Sequence, residues 1–228
     1  MLVQLLTHTP DPERVVAAAA RLCYSGSSID ELMSRETAEQ EKLLRKILEL
    51  GHYSVLEHAN FTFGVEGISR ACSHQLVRHR LASYSQQSQR YVSHTEQFES
   101  VIPPTIAEQP ELAAKYEALQ SQIHQHYRDF IEAGIPAEDA RFVLPNAAMT
   151  KIVITMNARE LKHFFHLRCC RRAQWEIQIM AGQMLQCVRQ ASPLLFETAG
   201  PGCLEGPCPE GAMTCGAIKE VRQEFSDL

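Results

Sequence analysis

Apolar residues change their spacing along this chain, separating a few strands from many helices. Val3-Gln4-Leu5-Leu6-Thr7 is short, apolar and mixed, and predicts an opening strand. From Pro10 to Cys23 an acidic Asp-Pro-Glu start leads into Val15-Val16-Ala17-Ala18-Ala19-Ala20, a helix with its acidic end correctly placed for the dipole. Thr37 to Leu50 reads as an amphipathic helix with Leu43, Leu44, Ile47 and Leu48 on one face, stopped by Gly51. Asn60 to Glu66 alternates aromatic and small residues, which is strand-like, and helical spacing returns from Ile68 to about Arg80. Pro103-Pro104 marks a loop before a long polar helix from about Glu108 to Glu132, closed by Gly134 and Pro136. Pro136-Ala137-Glu138-Asp139-Ala140 opens a short helix, and β-branched Lys151 to Met156 reads as a strand. Two more helices follow, Arg159 to His166 and Gln174 to Gln190, the second with Ile177, Met180, Ala181, Met184, Leu185 and Val188 inward. Beyond Ser192-Pro193 the chain turns to Gly, Pro and Cys and reads as irregular. Few strands and many helices, not regularly alternating, predict an α+β fold rather than a doubly wound sheet.

The bulk numbers narrow the class. With 228 residues the chain can bury one large core or at most two small ones. A hydrophobic share of 45% and a charged share of 21% suit a soluble globular protein. No apolar run is long enough to cross a membrane, and the N-terminus lacks a signal-peptide pattern, so a cytoplasmic location without membrane partners is expected. The eight cysteines are then expected to be reduced. A net charge of −5 argues against general nucleic-acid binding and for a small anionic partner.

One segment runs against that acidity. Between Gly67 and Thr95 lie four arginines and three histidines without one Asp or Glu. Its centre is Arg78-His79-Arg80-Leu81-Ala82-Ser83-Tyr84-Ser85-Gln86-Gln87-Ser88-Gln89-Arg90-Tyr91. Arginine forks grip phosphate or carboxylate oxygens, and the interleaved Ser, Gln and Tyr suit the edges of a heterocyclic base. The block therefore reads as a nucleotide site rather than a solvated basic face. Helical spacing would set Gln75, Arg78 and His79 on one face near a helix end and Arg80 on another. Ser88 and Arg90 would then lie in a polar loop able to close over a phosphate.

Arg78-His79-Arg80 followed by seven residues and Ser88 resembles the signature of the flavin-dependent thymidylate synthases. Gly51-His52-Tyr53-Ser54 and Leu56-Glu57-His58 with Phe61-Thr62-Phe63 resemble the segment preceding that signature. Arg141-x-x-Leu144-Pro145, Asn157-Ala158-Arg159-Glu160-Leu161, and Leu167-Arg168 with Ala173-Gln174-Trp175-Glu176-Ile177 resemble the segments after it. The likeness spans roughly Leu2 to Phe196, with its motifs in order. It implies a single domain of that type, an antiparallel sheet packed with a helical bundle. Residues 1–197 would be catalytic and 198–228 a tail.

The resemblance implies reductive methylation of deoxyuridine monophosphate (dUMP) to thymidylate. Methylenetetrahydrofolate would give the carbon, NADPH the electrons, and FAD would carry the hydride. It also implies a homotetramer with sites shared between subunits. Gln75, Leu76, Val77, Arg78, Gln86, Gln87, Ser88, Gln89, Arg90, Arg141 and Arg168 match the dUMP positions. Ser54, Arg78, His79, Arg80, Gln86, Asn157, Ala158, Arg159 and His163 match the FAD positions, with His52 and Glu57 nearby. Arg168 matches the catalytic arginine beside the pyrimidine. Some members have Asn and Glu where this chain has Ser85 and Gln86, and Asn where it has His163. A neutral Gln86 both donates and accepts, so binding is expected to survive.

Other features have plainer readings. Cys203-x4-Cys208-x6-Cys215, with Cys169 or Cys170 as a fourth ligand, lacks the paired C-x2-C spacing of zinc sites and reads as ordinary thiols. Pro207-Cys208 is only a dipeptide match to the cysteine-dependent thymidylate synthases. His124 and His126 are expected to be solvated, and Trp175 to pack in a core or interface. A helical nucleic-acid module is the competing non-enzyme reading, and it would show steep salt dependence.

Overall fold

The computed structural model describes residues 1–92 and 98–226, so His94 and Thr95 of the basic segment lie outside the described residues. Four strands are present: β1 (Leu2–His8), β2 (Asn60–Ser69), β3 (Ala82–Gln86) and β4 (Met149–Asn157). They form an antiparallel sheet in the order β1-β2-β4-β3, and the remaining elements are mainly helices. The α+β expectation is met. The chain divides into two compact units, and β2 and β4 each run from one into the other.

Unit 1 comprises Met1–Leu2, Val65–Arg78 and Tyr84–Val153. It holds the end of β2 and then α4 (Arg70–Leu76), α5 (Pro104–Ala107), α6 (Pro110–Glu132) and α7 (Ala137–Ala140). Val65, Ile68, Cys72, Leu76, Phe98, Tyr127 and Ile152 are buried in it. Two expectations fail here. Helical spacing from Ile68 gives way to strand as far as Ser69, because the Ser69 hydroxyl accepts from Cys72 N–H and starts the helix there. His124 is also 8% exposed rather than solvated, edge-on to Phe98 at 5.4 Å. Burial and Arg128 lower its pKa, whereas the side chain of His126 is 70% exposed.

Unit 2 comprises Val3–Gly64, His79–Ser83 and Ile154–Leu228. Its helices are α1 (Pro12–Leu22), α2 (Ile29–Met33), α3 (Thr37–Glu49), α8 (Ala158–Arg168), α9 (Trp175–Ala191), α10 (Pro193–Phe196) and α11 (Ile218–Ser226), with a 3₁₀ segment at Tyr53–His58. All six inward positions expected on α9 are buried. Phe196 meets Phe61 at 5.3 Å and Phe165 at 6.1 Å, both edge-on, which suits aromatic quadrupoles. Gly51, at φ 71°, ends α3 in the left-handed region that glycine tolerates.

The tail is not wholly irregular, since α11 buries Val221 and Phe225 on one face. Its i, i+4 apolar pair is obscured in the sequence by the Gly- and Pro-rich run before it. Arg189 of α9 donates to the carbonyls of Phe196, Ala199 and Phe225, and Arg222 donates to those of Cys203 and Gly206. The Arg189 bonds tie the tail to α9, and those of Arg222 brace the tail internally. Among the described residues no helix is long and apolar enough to cross a membrane.

Candidate active site

In unit 1, α4 ends at Leu76, with Val77 N–H bonding the Gln75 and Ser73 carbonyls. Arg78 therefore stands beyond the helix, as does His79, and the expected helical face of Gln75, Arg78 and His79 does not form. Gln75 is half-buried, Leu76 buried, Val77 and Arg78 exposed. The polar run after Arg80 first forms β3, while Ser88 and Arg90 lie beyond it outside any strand or helix, as expected, and Tyr84 hydroxyl donates to Leu76 carbonyl at 3.0 Å. Gln86 donates its amide hydrogens to Ser73 Oγ at 3.0 Å and Thr150 Oγ1 at 3.2 Å. Gln87 N–H bonds Lys151 carbonyl, and Ser88 Oγ accepts from Arg90 N–H, a local turn. Ser88, Gln87 and Gln89 are half-buried.

The basic block does find an acid. Arg90 Nη2 lies 2.8 Å from Glu138 of α7, and Arg141 Nε donates to the Glu138 carbonyl at 3.0 Å. Arg70 is pushed below its ordinary pKa by burial and then by Arg141. Glu138 thus meets Arg90 through its carboxylate and Arg141 through its backbone carbonyl, and Arg70 feels the charge of Arg141.

In unit 2, Asn157 Oδ1 accepts from Glu160 N–H at 2.9 Å and caps α8. Ala158 N–H bonds Ala59 carbonyl at 2.8 Å, tying that cap to the end of the 3₁₀ segment. Ser54, His52 and Arg80 are exposed, and Arg159 pairs with Glu57 at 2.6 Å. The same helix carries Glu160, His163, Phe164 and Arg168. His79 is 5% exposed, its ring edge-on to Phe164 at 4.9 Å and 6.1 Å from His163. Arg168 Nε donates to His79 Nε2 at 3.0 Å, and His79 Nδ1 stands 3.4 Å from Glu160 Oε1. Burial, then Arg168, then His163 push the His79 pKa down to about 4, so the imidazole is neutral near pH 7. Burial raises the Glu160 pKa, and His163 acts against that rise.

Neither Glu138 nor Glu160 stands out as a site residue in the sequence. Glu160 occupies the third position of a capped helix, where an acid reads as a dipole partner, so its signal is hidden. The expected dUMP residues fall in unit 1 except Arg168, and the FAD residues in unit 2 except Arg78 and Gln86. Cys203 is buried, Cys208 half-buried and Cys215 exposed, and burial followed by the nearby thiols of Cys208, Cys170 and Cys215 raises the Cys203 pKa. Among the described residues no three His, Cys, Asp or Glu could hold a metal ion.

A model of the family described as thymidylate synthase complementing protein matches residues 4–194, most of the chain. The chain belongs to that family. Its relatives include a protein of Geobacter sulfurreducens, 57% identical over all of this chain and 99% of its own. Another, from Clostridium tetani, is 47% identical over 98% of this chain and 96% of its own. A third, from Pyrococcus furiosus, is 44% identical over 99% and 97%. Each is named flavin-dependent thymidylate synthase, so the resemblance carried by the ordered motifs holds, and this family member is an enzyme.

Proposed function

We propose that this family member methylates dUMP to thymidylate, taking the carbon from methylenetetrahydrofolate and electrons from NADPH, with FAD as the bound cofactor. The observation that carries the reading is Arg168 Nε held on a buried, neutral imidazole. A guanidinium stays protonated, so beside N3 and O2 of uracil it favours the anionic ring as charge develops. That polarisation lets C5 attack carbon without an enzyme nucleophile. Arg78, Arg90 and Arg141 neutralise the phosphate, Ser88 donates to it, and Gln75, Leu76, Val77, Gln86, Gln87 and Gln89 line the nucleotide.

The donor set suits a flavin dinucleotide. Arg78 and Arg80 are exposed and, among the described residues, have no ion pair, so they can face a diphosphate. Ser54, His163 and the Arg159–Glu57 pair offer polar groups from neighbouring segments, and Asn157 and Ala158 shape the turn below them. When bound, FAD supplies the hydride chemistry. Residues 1–197 carry the chemistry, and 198–228 form a clamped appendage. The assembly is a cytoplasmic homotetramer whose subunits share sites, so the two residue sets need not come from one chain.

Purified protein should show flavin absorbance and form thymidylate from dUMP, methylenetetrahydrofolate and NADPH. No flavin spectrum, even after FAD is added, refutes the reading.

A further inference from the structure

We propose that Glu160 is a positioning residue for Arg168, acting through the His79 imidazole. The proposal rests on the role given to Arg168 above. A guanidinium nitrogen can only donate, so His79 Nε2, at 3.0 Å from Arg168 Nε, must be the acceptor. The ring proton of a neutral His79 is therefore on Nδ1, which faces Glu160 Oε1 at 3.4 Å. A protonated His79 would set two donors and two positive charges against each other at Arg168. The Arg168–His79 hydrogen bond and the approach of Nδ1 to Glu160 thus share one consistent direction of donation. Fixing Nε fixes the whole guanidinium, because its five N–H groups share one rigid plane.

The side chains of His79 and Glu160 are 4% and 8% exposed. A buried carboxyl is costly unless it has a polar partner. Helix capping does not supply that partner, since the α8 cap uses the Glu160 backbone N–H and the Asn157 side chain. The other groups facing the chain are His163 and the Phe164 ring edge. Carboxyl–imidazole pairs orient metal-bound histidines in the same way, and here the oriented group is a cation.

The test compares Glu160→Ala and Glu160→Gln in the holoenzyme. Losing the acceptor should lower kcat about 10-fold or more while KM for dUMP and flavin content stay near wild type. Gln keeps an oxygen acceptor for Nδ1–H and should recover most of the rate. Nitrogen-15 spectra of labelled wild type, with His79→Asn to assign the ring, should show the Nδ1–H tautomer. Unchanged kcat in Glu160→Ala, a Gln variant as slow as Ala, or an Nε2–H ring would each overturn the proposal. If Glu160→Ala fails to fold, the Gln variant and the wild-type tautomer still decide. A wild type that makes no thymidylate sinks the functional reading instead, and the tautomer then tests the Glu160–His79 link separately.

Discussion

The two units hold their arginines in opposite ways. In unit 1, Arg90 and its partner Glu138 have side chains 50% and 47% exposed, within reach of water and salt. In unit 2, Arg168 rests on His79 and Glu160, both almost fully buried. An exposed ion pair contributes little and exchanges easily. The half-buried Arg168 bonds a buried ring, which gives its guanidinium a fixed direction. On the proposed function, the first arrangement would serve capture of the phosphate and the second the aiming of Arg168 at the pyrimidine.

Three experiments test that contrast. The largest effect is expected from Arg168→Ala, which should cut kcat for thymidylate formation by about 10²–10³ while flavin stays bound. Near-normal turnover would remove the catalytic role from unit 2. Next comes acid stability. The His79 pKa falls from 6.5 to about 4 on folding, so the unfolded chain takes up this proton first. The stability it contributes is present above the unfolded value and is lost as pH falls from 6.5 through 4. The loss amounts to at most about 3 kcal/mol. Glu160, raised by burial, holds its proton longer in the folded state and offsets part of that loss. Urea midpoints measured across this range should fall on acidification and level off below the folded pKa, and a flat profile would show His79 is not buried as described. The smallest effect is expected in unit 1, where Arg141→Ala should raise KM for dUMP about 10-fold with little change in kcat. Added salt should raise KM for dUMP in wild type more than in this variant, because the lost contact is screened. A fall in kcat alone would make unit 1 more than a capture surface.

Legibility followed the range of the deciding interaction. Helix α9 can be read from its spacing alone, because one apolar face with a 3.6-residue period needs no distant partner to be recognised. The capping roles of Ser69 and Asn157 are local too, yet they set boundaries that periodicity blurs. Strand β3 escapes a sequence reading because Ala-Ser-Tyr-Ser-Gln has no apolar alternation, and its pairing beside β4 makes it a strand. His124 misleads for a similar reason: its burial depends on Phe98, far from it in sequence.

The amino-acid order alone specifies the fold class, the family through its ordered motifs, and the arginines and histidines available for chemistry. It could not determine their partners. Arg90 meets an acid 48 positions away, and Arg168 meets its imidazole across 89. Folding sets Arg90 at the surface beside the carboxylate of Glu138 and Arg168 against the buried imidazole of His79. Burial and proximity set the charge and direction of each group, and both arise from contacts that no local pattern encodes.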